Sequence, residues 1–261
     1  MPDERAAGDL TDDAVLGGRL KLLQPRAGHR FGHDAILLAA AVAANAGERA
    51  VDLGAGVGAA GLALAARVAG LAVILVDIDA GLAALAAENA ARNGLADRVS
   101  ALTLDVAASE QAFAAAGLTS GAAEHVLMNP PFRNSARQQV SPDPGRRRAH
   151  AAPRDAFRVW ITAAERLLRS GGTLTLIFSA DGIGDVLAAI DERFGALAVL
   201  PIYPKPGAPA IRILVRAVKA RRAPLTLAPA LLLNGADGRP TVEAEAILRG
   251  AAGLSFGGAR C

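Results

Sequence analysis

The sequence predicts an α/β fold: a doubly wound, mostly parallel seven-stranded sheet with an antiparallel pair of strands near its C-terminal end. Three observations predict it. From Glu48 onward, short apolar runs alternate with longer alanine-rich helical stretches, the pattern of strand–helix–strand crossovers. A glycine turn, Gly54-Ala55-Gly56-Val57-Gly58, separates the first such strand from its helix. Near the end, the apolar runs Leu197–Pro201 and Ile211–Val218 flank a proline-rich segment, Tyr203-Pro204-Lys205-Pro206-Gly207, and read as two antiparallel strands.

Taken in order, residues 1–14 are polar and expected to be disordered, and Gly17–Gln24 alternates weakly enough for a short strand or hairpin. A helix is expected over Ala35–Ala46, with Asp34 placed to cap it and His33 a solvated turn residue. Together 15–47 form an N-terminal extension to a domain spanning 48–220. That domain opens with strand Ala50–Leu53, the glycine turn and helix Ala59–Val68. Strand Leu71–Val76 ends at Asp77, and helix Ala80–Arg92 stops at Asn93-Gly94, a usual helix C-terminus. Strand Val99–Leu104 ends at Asp105, helix Gln111–Ala116 follows, and an apolar run from His125 to Met128 forms the next strand. A long polar segment reaches Pro153. Helix Phe157–Leu168, closed by Ser170-Gly171-Gly172, leads to strand Thr173–Phe178 and helix Ile183–Phe194. Trp160 is expected in the core. Residues 221–261 form a C-terminal extension with a helix near Val242–Leu248 and a loose glycine-rich end.

Composition bounds the function classes. Hydrophobic residues make up 52% of the 261, ample for a core, and aromatics only 3%. Net charge is +3, and nearly all of the 28 basic residues are arginine. A single cysteine, Cys261, excludes an intrachain disulfide and a thiolate metal cluster, so no metal site is expected. The N-terminus is charged, without a signal-peptide pattern, and the longest apolar stretch, Gly61–Ile78, is interrupted by Arg67 and Gly70. The expectation is a cytoplasmic protein with no membrane contact and no obligate protein partner.

The chemistry gathers where the strands end. In an open α/β sheet, ligands sit beyond the carboxyl ends of the strands. Here those ends carry Asp52 with Gly54, Gly56 and Gly58, then Asp77, Asp105 and finally Asn129-Pro130-Pro131-Phe132. Gly56, Gly58 and Gly61 also fit a dinucleotide fingerprint. A pyrophosphate, however, needs a helix N-terminus without a competing anion, and Asp52 lies two residues before the first glycine. That carboxylate suits the ammonium of a methionine moiety; Asp77 suits a ribose diol, and Asp105 an adenine amine. S-adenosyl-L-methionine is therefore the expected cofactor.

Proline at 130 pushes Asn129 out of the α region, and neither proline has an N–H to extend a ladder. The Asn129 carboxamide oxygen, the Pro130 carbonyl and the ring of Phe132 remain. Two acceptors beside an aromatic plane suit a planar group bearing –NH2. Downstream, Arg133, Arg137, Arg146, Arg147, Arg148 and Arg154 would rim the same pocket, where guanidinium groups suit phosphates. RNA would have to present an unstacked base there.

This motif series resembles the class I S-adenosylmethionine-dependent methyltransferases. The Asn-Pro-Pro-(Tyr/Phe) version is similar to enzymes that methylate exocyclic amines or amides. With Gln24, Arg30-Phe31-Gly32-His33-Asp34-Ala35-Ile36-Leu37-Leu38, the arginine-rich segment and the closing strands, residues 15–250 resemble the bacterial valine-tRNA adenine-N6-methyltransferase family. The resemblance implies a tRNA adenine beside the anticodon as substrate, Asn129, Pro130 and Phe132 as catalytic residues, and Pro131 with the arginines as substrate contacts. It also adds Asp34 to the residues around the cofactor. Phe132 stands where that family usually has Tyr. Alternatives are methylation of a termination-factor glutamine or of a ribosomal RNA guanine amine, a small-molecule methyltransferase, and an inactive RNA-binding module on the same fold.

Overall fold

The computed structural model describes residues 10–27, 30–131, 153–190 and 193–257. An antiparallel hairpin, β1 (Leu10–Val15) and β2 (Leu20–Pro25), precedes α1 (His33–Ala41). The main sheet then builds from β3 (Arg49–Leu53), α2 (Ala59–Arg67), β4 (Ala72–Asp77), α3 (Ala80–Arg92), β5 (Val99–Thr103), α4 (Glu110–Ala115) and β6 (Ala123–Met128). It continues through α5 (Pro153–Leu167), β7 (Leu168–Ser179), α6 (Ile183–Ala189), β8 (Phe194–Tyr203) and β9 (Arg212–Lys219). Two-residue strands β10 (Thr226–Leu227) and β11 (Leu231–Leu232) and helix α7 (Val242–Leu248) complete the chain.

The expected seven strands run in the order β5-β4-β3-β6-β7-β9-β8. Strands β5 to β7 are parallel, and β9 is antiparallel to both β7 and β8. The two short strands β10 and β11 pair in parallel with β8 and widen the sheet to nine. Each face carries its own apolar layer. One joins α1, α2 and α3 with β2, α7 and the C-terminal residues; the other joins α4, α5 and α6.

Local signals account for several boundaries. Asp79 caps α3 by accepting from the Gly81 and Leu82 amides, and Gly94 leaves its C-terminus at φ +66°. The contact of α2 with the sheet requires Gly61, because a Cβ there would lie 2.2 Å from Leu75 Cδ2.

Other boundaries differ from expectation. Residues 10–14 are strand: Asp13 accepts from Thr11, Gln24 and Arg30, so a polar stretch is satisfied within the hairpin. The Gln24 and Thr11 bonds, with Arg30, hold the Asp13 carboxyl below its ordinary range against the opposing effect of burial. Helix α1 stops at Ala41, where Arg67 donates to the carbonyls of Ala39 and Val42. Strand β7 begins at Leu168 and runs through Ser170-Gly171-Gly172, meeting β6 across a register shift. Helix α6 ends at Ala189, since Phe194 is already paired with Lys219. The C-terminal stretch is packed as far as Phe256, which is 2% exposed under the Arg216 guanidinium, while the Leu254 amide bonds Ala40 O at 2.8 Å.

Candidate active site

Register sets the site. Leu53 of β3 is paired with Val76 of β4 on one side and Met128 of β6 on the other. Gly54, Asp77 and Asn129 therefore stand level at the carboxyl ends of three adjacent strands. Asp77 and Asn129 are about 10 Å apart across β3, two strand spacings.

The turn between β3 and α2 is held from below. The Gly54 and Ala55 amides both donate to Val76 O, at 2.8 and 2.9 Å. Gly54, Gly56 and Gly58 lie at φ +69°, +57° and +88°, a region that favours glycine. A Cβ on Gly54 would sit 2.5 Å from the Trp160 ring, so this half-buried indole of α5 lies directly on the turn as well as against the core. Gly56 has open space on the corresponding side, room for a ligand to approach the backbone.

Asp77 accepts the Gly56 amide at 2.7 Å through Oδ2 and the Asp79 amide at 2.9 Å through Oδ1. A carboxylate has about four acceptor positions, so both oxygens keep capacity for a diol. Asp52, two residues below the edge, is 2% exposed and accepts the Gly61 amide at 2.8 Å. Burial, with the charge of Asp77 adding to it against the Gly61 bond, raises its pKa to about 7. Asp105 is exposed beyond β5 and accepts the Ala107 amide at 2.8 Å. Ile78, 67% exposed, follows Asp77 at the same edge.

Asn129 is half-buried, and its Oδ1 is fully buried with no hydrogen-bond partner among the described residues. Pro130 is buried and Pro131 exposed. Phe132, Arg133, Arg137, Arg146, Arg147 and Arg148 lie outside the described residues. Arg154 falls in the first turn of α5, with its side chain likewise outside them.

Asp34 departs from expectation. The N-cap of α1 is Gly32, without a side-chain cap, and Asp34 instead accepts from Arg212 Nε of β9 at 2.8 Å. Because β9 lies beyond β7, this pair is on the far side of β6 from the glycine turn. His33 is exposed, as expected, and borders a cavity of about 430 Å³ between the hairpin, the start of α1 and Leu248. Tyr203 ends β8, its carbonyl accepting from the Leu233 amide.

A left-handed glycine turn with open space, an acid beside it, and on the adjacent strand an acceptor unpaired among the described residues fit a nucleoside-bearing methyl donor. The methyltransferase small domain family matches residues 29–201, more than half of the chain. The chain belongs to that family. It is an S-adenosylmethionine-dependent methyltransferase with a Rossmann-like fold.

A predicted O-methyltransferase, protein Atu636 from Agrobacterium tumefaciens, superposes with a TM-score of 0.73 at 32% identity, over 85% of this chain and 98% of that one. TYW2 from P. horikoshii, solved with MeSAdo, shares the fold at 16% identity, with a TM-score of 0.54 over 83% of this chain and 74% of its own. The release factor glutamine methyltransferase of Chlorobaculum tepidum is 28% identical over 161 residues, 59% of this chain. The chain spans about half (53%) of the length of that curated relative. Among the described residues no helix is long and apolar enough to cross a membrane.

Proposed function

We propose that this methyltransferase transfers its methyl group to an exocyclic amine, adenine N6 in a tRNA near the anticodon. The observation that carries the reading is the buried Oδ1 of Asn129, unpaired among the described residues. An acceptor withheld from both water and protein costs roughly 1–3 kcal/mol, a cost offset when a substrate donor fills it. An –NH2 group brings two hydrogens to two acceptors, Asn129 Oδ1 and the Pro130 carbonyl; a hydroxyl brings one.

Bound S-adenosylmethionine supplies an activated methyl group on a sulfonium. Asn129 and Pro130 hold both amine hydrogens, draw the nitrogen toward tetrahedral geometry and turn its lone pair toward that methyl. On accepting the methyl group the amine nitrogen would become cationic and would release one hydrogen to solvent as a proton. Phe132 stacks on the base, worth roughly 1–3 kcal/mol. Arg133, Arg137, Arg146, Arg147, Arg148 and Arg154 supply phosphate contacts, which favours a nucleic acid. In-line positioning of the two reactants contributes on the order of 7–11 kcal/mol.

A protein glutamine amide is the second reading, favoured by the glutamine methyltransferase from Chlorobaculum tepidum. The two are separated by incubating the protein with methyl-labelled cofactor and, separately, unmodified tRNA, ribosomal RNA and cell protein. Label recovered from tRNA as N6-methyladenosine is the expected result. Label in glutamine or guanosine keeps the amine chemistry and overturns the adenine assignment.

A further inference from the structure

Strand β2 has one edge paired with β1 and another facing helix α3. On that second edge the peptide groups are closed by two asparagine side chains. Asn93 Oδ1 accepts from the Lys21 amide at 2.9 Å and its Nδ2 donates to Lys21 O at 2.8 Å. One helical turn earlier, Asn89 Oδ1 accepts from the Leu23 amide at 2.8 Å and its Nδ2 donates to Leu23 O at 3.0 Å. The spacing explains the match. Residues four apart on a helix are separated by about 6 Å along its axis, and residues two apart on a strand by about 6.6 Å. The two carboxamides thus stand in for two peptide groups of a neighbouring strand.

The two rungs are not equivalent. Asn93 bonds the exposed Lys21 and, through Nδ2, the carbonyl of Asn89 in its own helix at 2.7 Å. Asn89 is fully buried and sends its second amide hydrogen to Val57 O at 3.0 Å, inside the glycine turn. Both of its donors are spent, one on the hairpin and one on the turn. Val57 lies between Gly56 and Gly58, the left-handed pair that shapes the approach to α2. A fixed Val57 carbonyl fixes the plane of the Val57–Gly58 peptide.

We propose that Asn89 is a positioning residue for cofactor binding: it locks the glycine turn against the N-terminal hairpin, so the two bind S-adenosylmethionine as one preorganised unit. The proposal rests on the methyl-donor assignment and is independent of which substrate is methylated.

The test compares Asn89→Ala with Asn93→Ala in the full-length protein. Both variants free one rung of β2, but only the first releases Val57. The dissociation constant for S-adenosylmethionine should rise about tenfold in Asn89→Ala, the effect of one lost buried hydrogen bond, with kcat at saturating cofactor within about twofold of wild type. Asn93→Ala should leave that dissociation constant within about twofold. Equal shifts in both variants, or no shift in either, would show an ordinary hairpin anchor and overturn the proposal. A second measurement needs no variant. In the wild-type protein, adding S-adenosylmethionine should slow hydrogen exchange at the Leu23 amide more than at Lys21. Equal protection, or none, overturns the proposal even if Asn89→Ala does not fold.

Discussion

Strand β6 carries a polar side chain near each end, and the two are treated in opposite ways. At the amino side, His125 is 6% exposed and both ring nitrogens are engaged, Nε2 with Glu48 at 2.9 Å and Nδ1 with Thr173 at 2.7 Å. The Glu48 carboxylate only accepts, so Nε2 holds a proton, and the Thr173 hydroxyl is free to donate to Nδ1. Burial raises the Glu48 carboxyl, but hydrogen bonds from His125 and the Asn45 amide outweigh this and leave its pKa below the ordinary value. At the carboxyl side, about 13 Å along the strand, the Asn129 oxygen is also buried and has no partner among the described residues. A buried polar group is stabilising when the protein completes it. Where the described residues leave it incomplete, the proposed substrate amine is its partner, and on that reading some stability is exchanged for function.

The sharpest way to break this contrast is Asn129→Ala. Turnover should fall by on the order of 10²–10³, comparable to removal of one preorganised polar group at a reacting centre. Cofactor affinity, measured by calorimetry, should stay close to wild type, and the melting temperature should hold or rise because an unsatisfied acceptor is gone. Parallel loss of turnover, cofactor binding and stability would mean that Asn129 is simply part of the frame.

Thr173→Val asks the opposite question at the other end of the strand. The change is nearly isosteric and leaves His125 Nδ1 without its partner, so stability should drop by about 1–3 kcal/mol. Turnover per folded molecule should not change. Denaturant unfolding read beside kcat separates the two, and a fall in kcat without a fall in stability would erase the distinction between the ends.

How much of this could be read from sequence follows the range of the interactions. Asp79 and Asn93-Gly94 bound α3 by contacts with their own neighbours, and the sequence reading places that helix correctly. The glycine turn and Asn129-Pro130-Pro131 were legible because glycine and proline restrict their own backbone. The strands of a parallel sheet all end at one edge, so the parallel sheet alone puts Asp77 and Asn129 on the same side; the strand order that separates them by β3 is not legible in the sequence. What was missed depends on distant partners. Asp34 looked like a helix cap, but its partner, Arg212, is 178 residues away. Asn89 is one polar residue in an alanine-rich helix, and its bonds reach back 32 and 66 residues. Strand β1 reads as too polar to order because Asp13 is completed by Gln24 and Arg30 as well as by its neighbour Thr11.

Asp52 lies between the two cases: buried like His125, yet two residues below the edge that carries Asn129. Its folded-state pKa of about 7, against an ordinary value near 3.8, means that the folded protein keeps this proton over a range where the unfolded chain has lost it. Stability of the cofactor-free protein should therefore decline as pH rises from about 4 to about 7, and Asp52→Asn should remove that part of the decline. Cofactor binding has the opposite sign if the carboxylate serves the methionine ammonium, because a nearby cation favours the ionised form. At pH 6 Asp52 is mostly protonated before binding, so binding should release up to about one proton, seen as a dependence of calorimetric heat on buffer ionisation enthalpy. The effect on affinity is modest, at most about tenfold per pH unit. No proton release from wild type, or equal release from Asp52→Asn, would assign Asp52 to the His125 side of the comparison: a group already completed by the Gly61 amide, holding α2 in place without meeting the ligand.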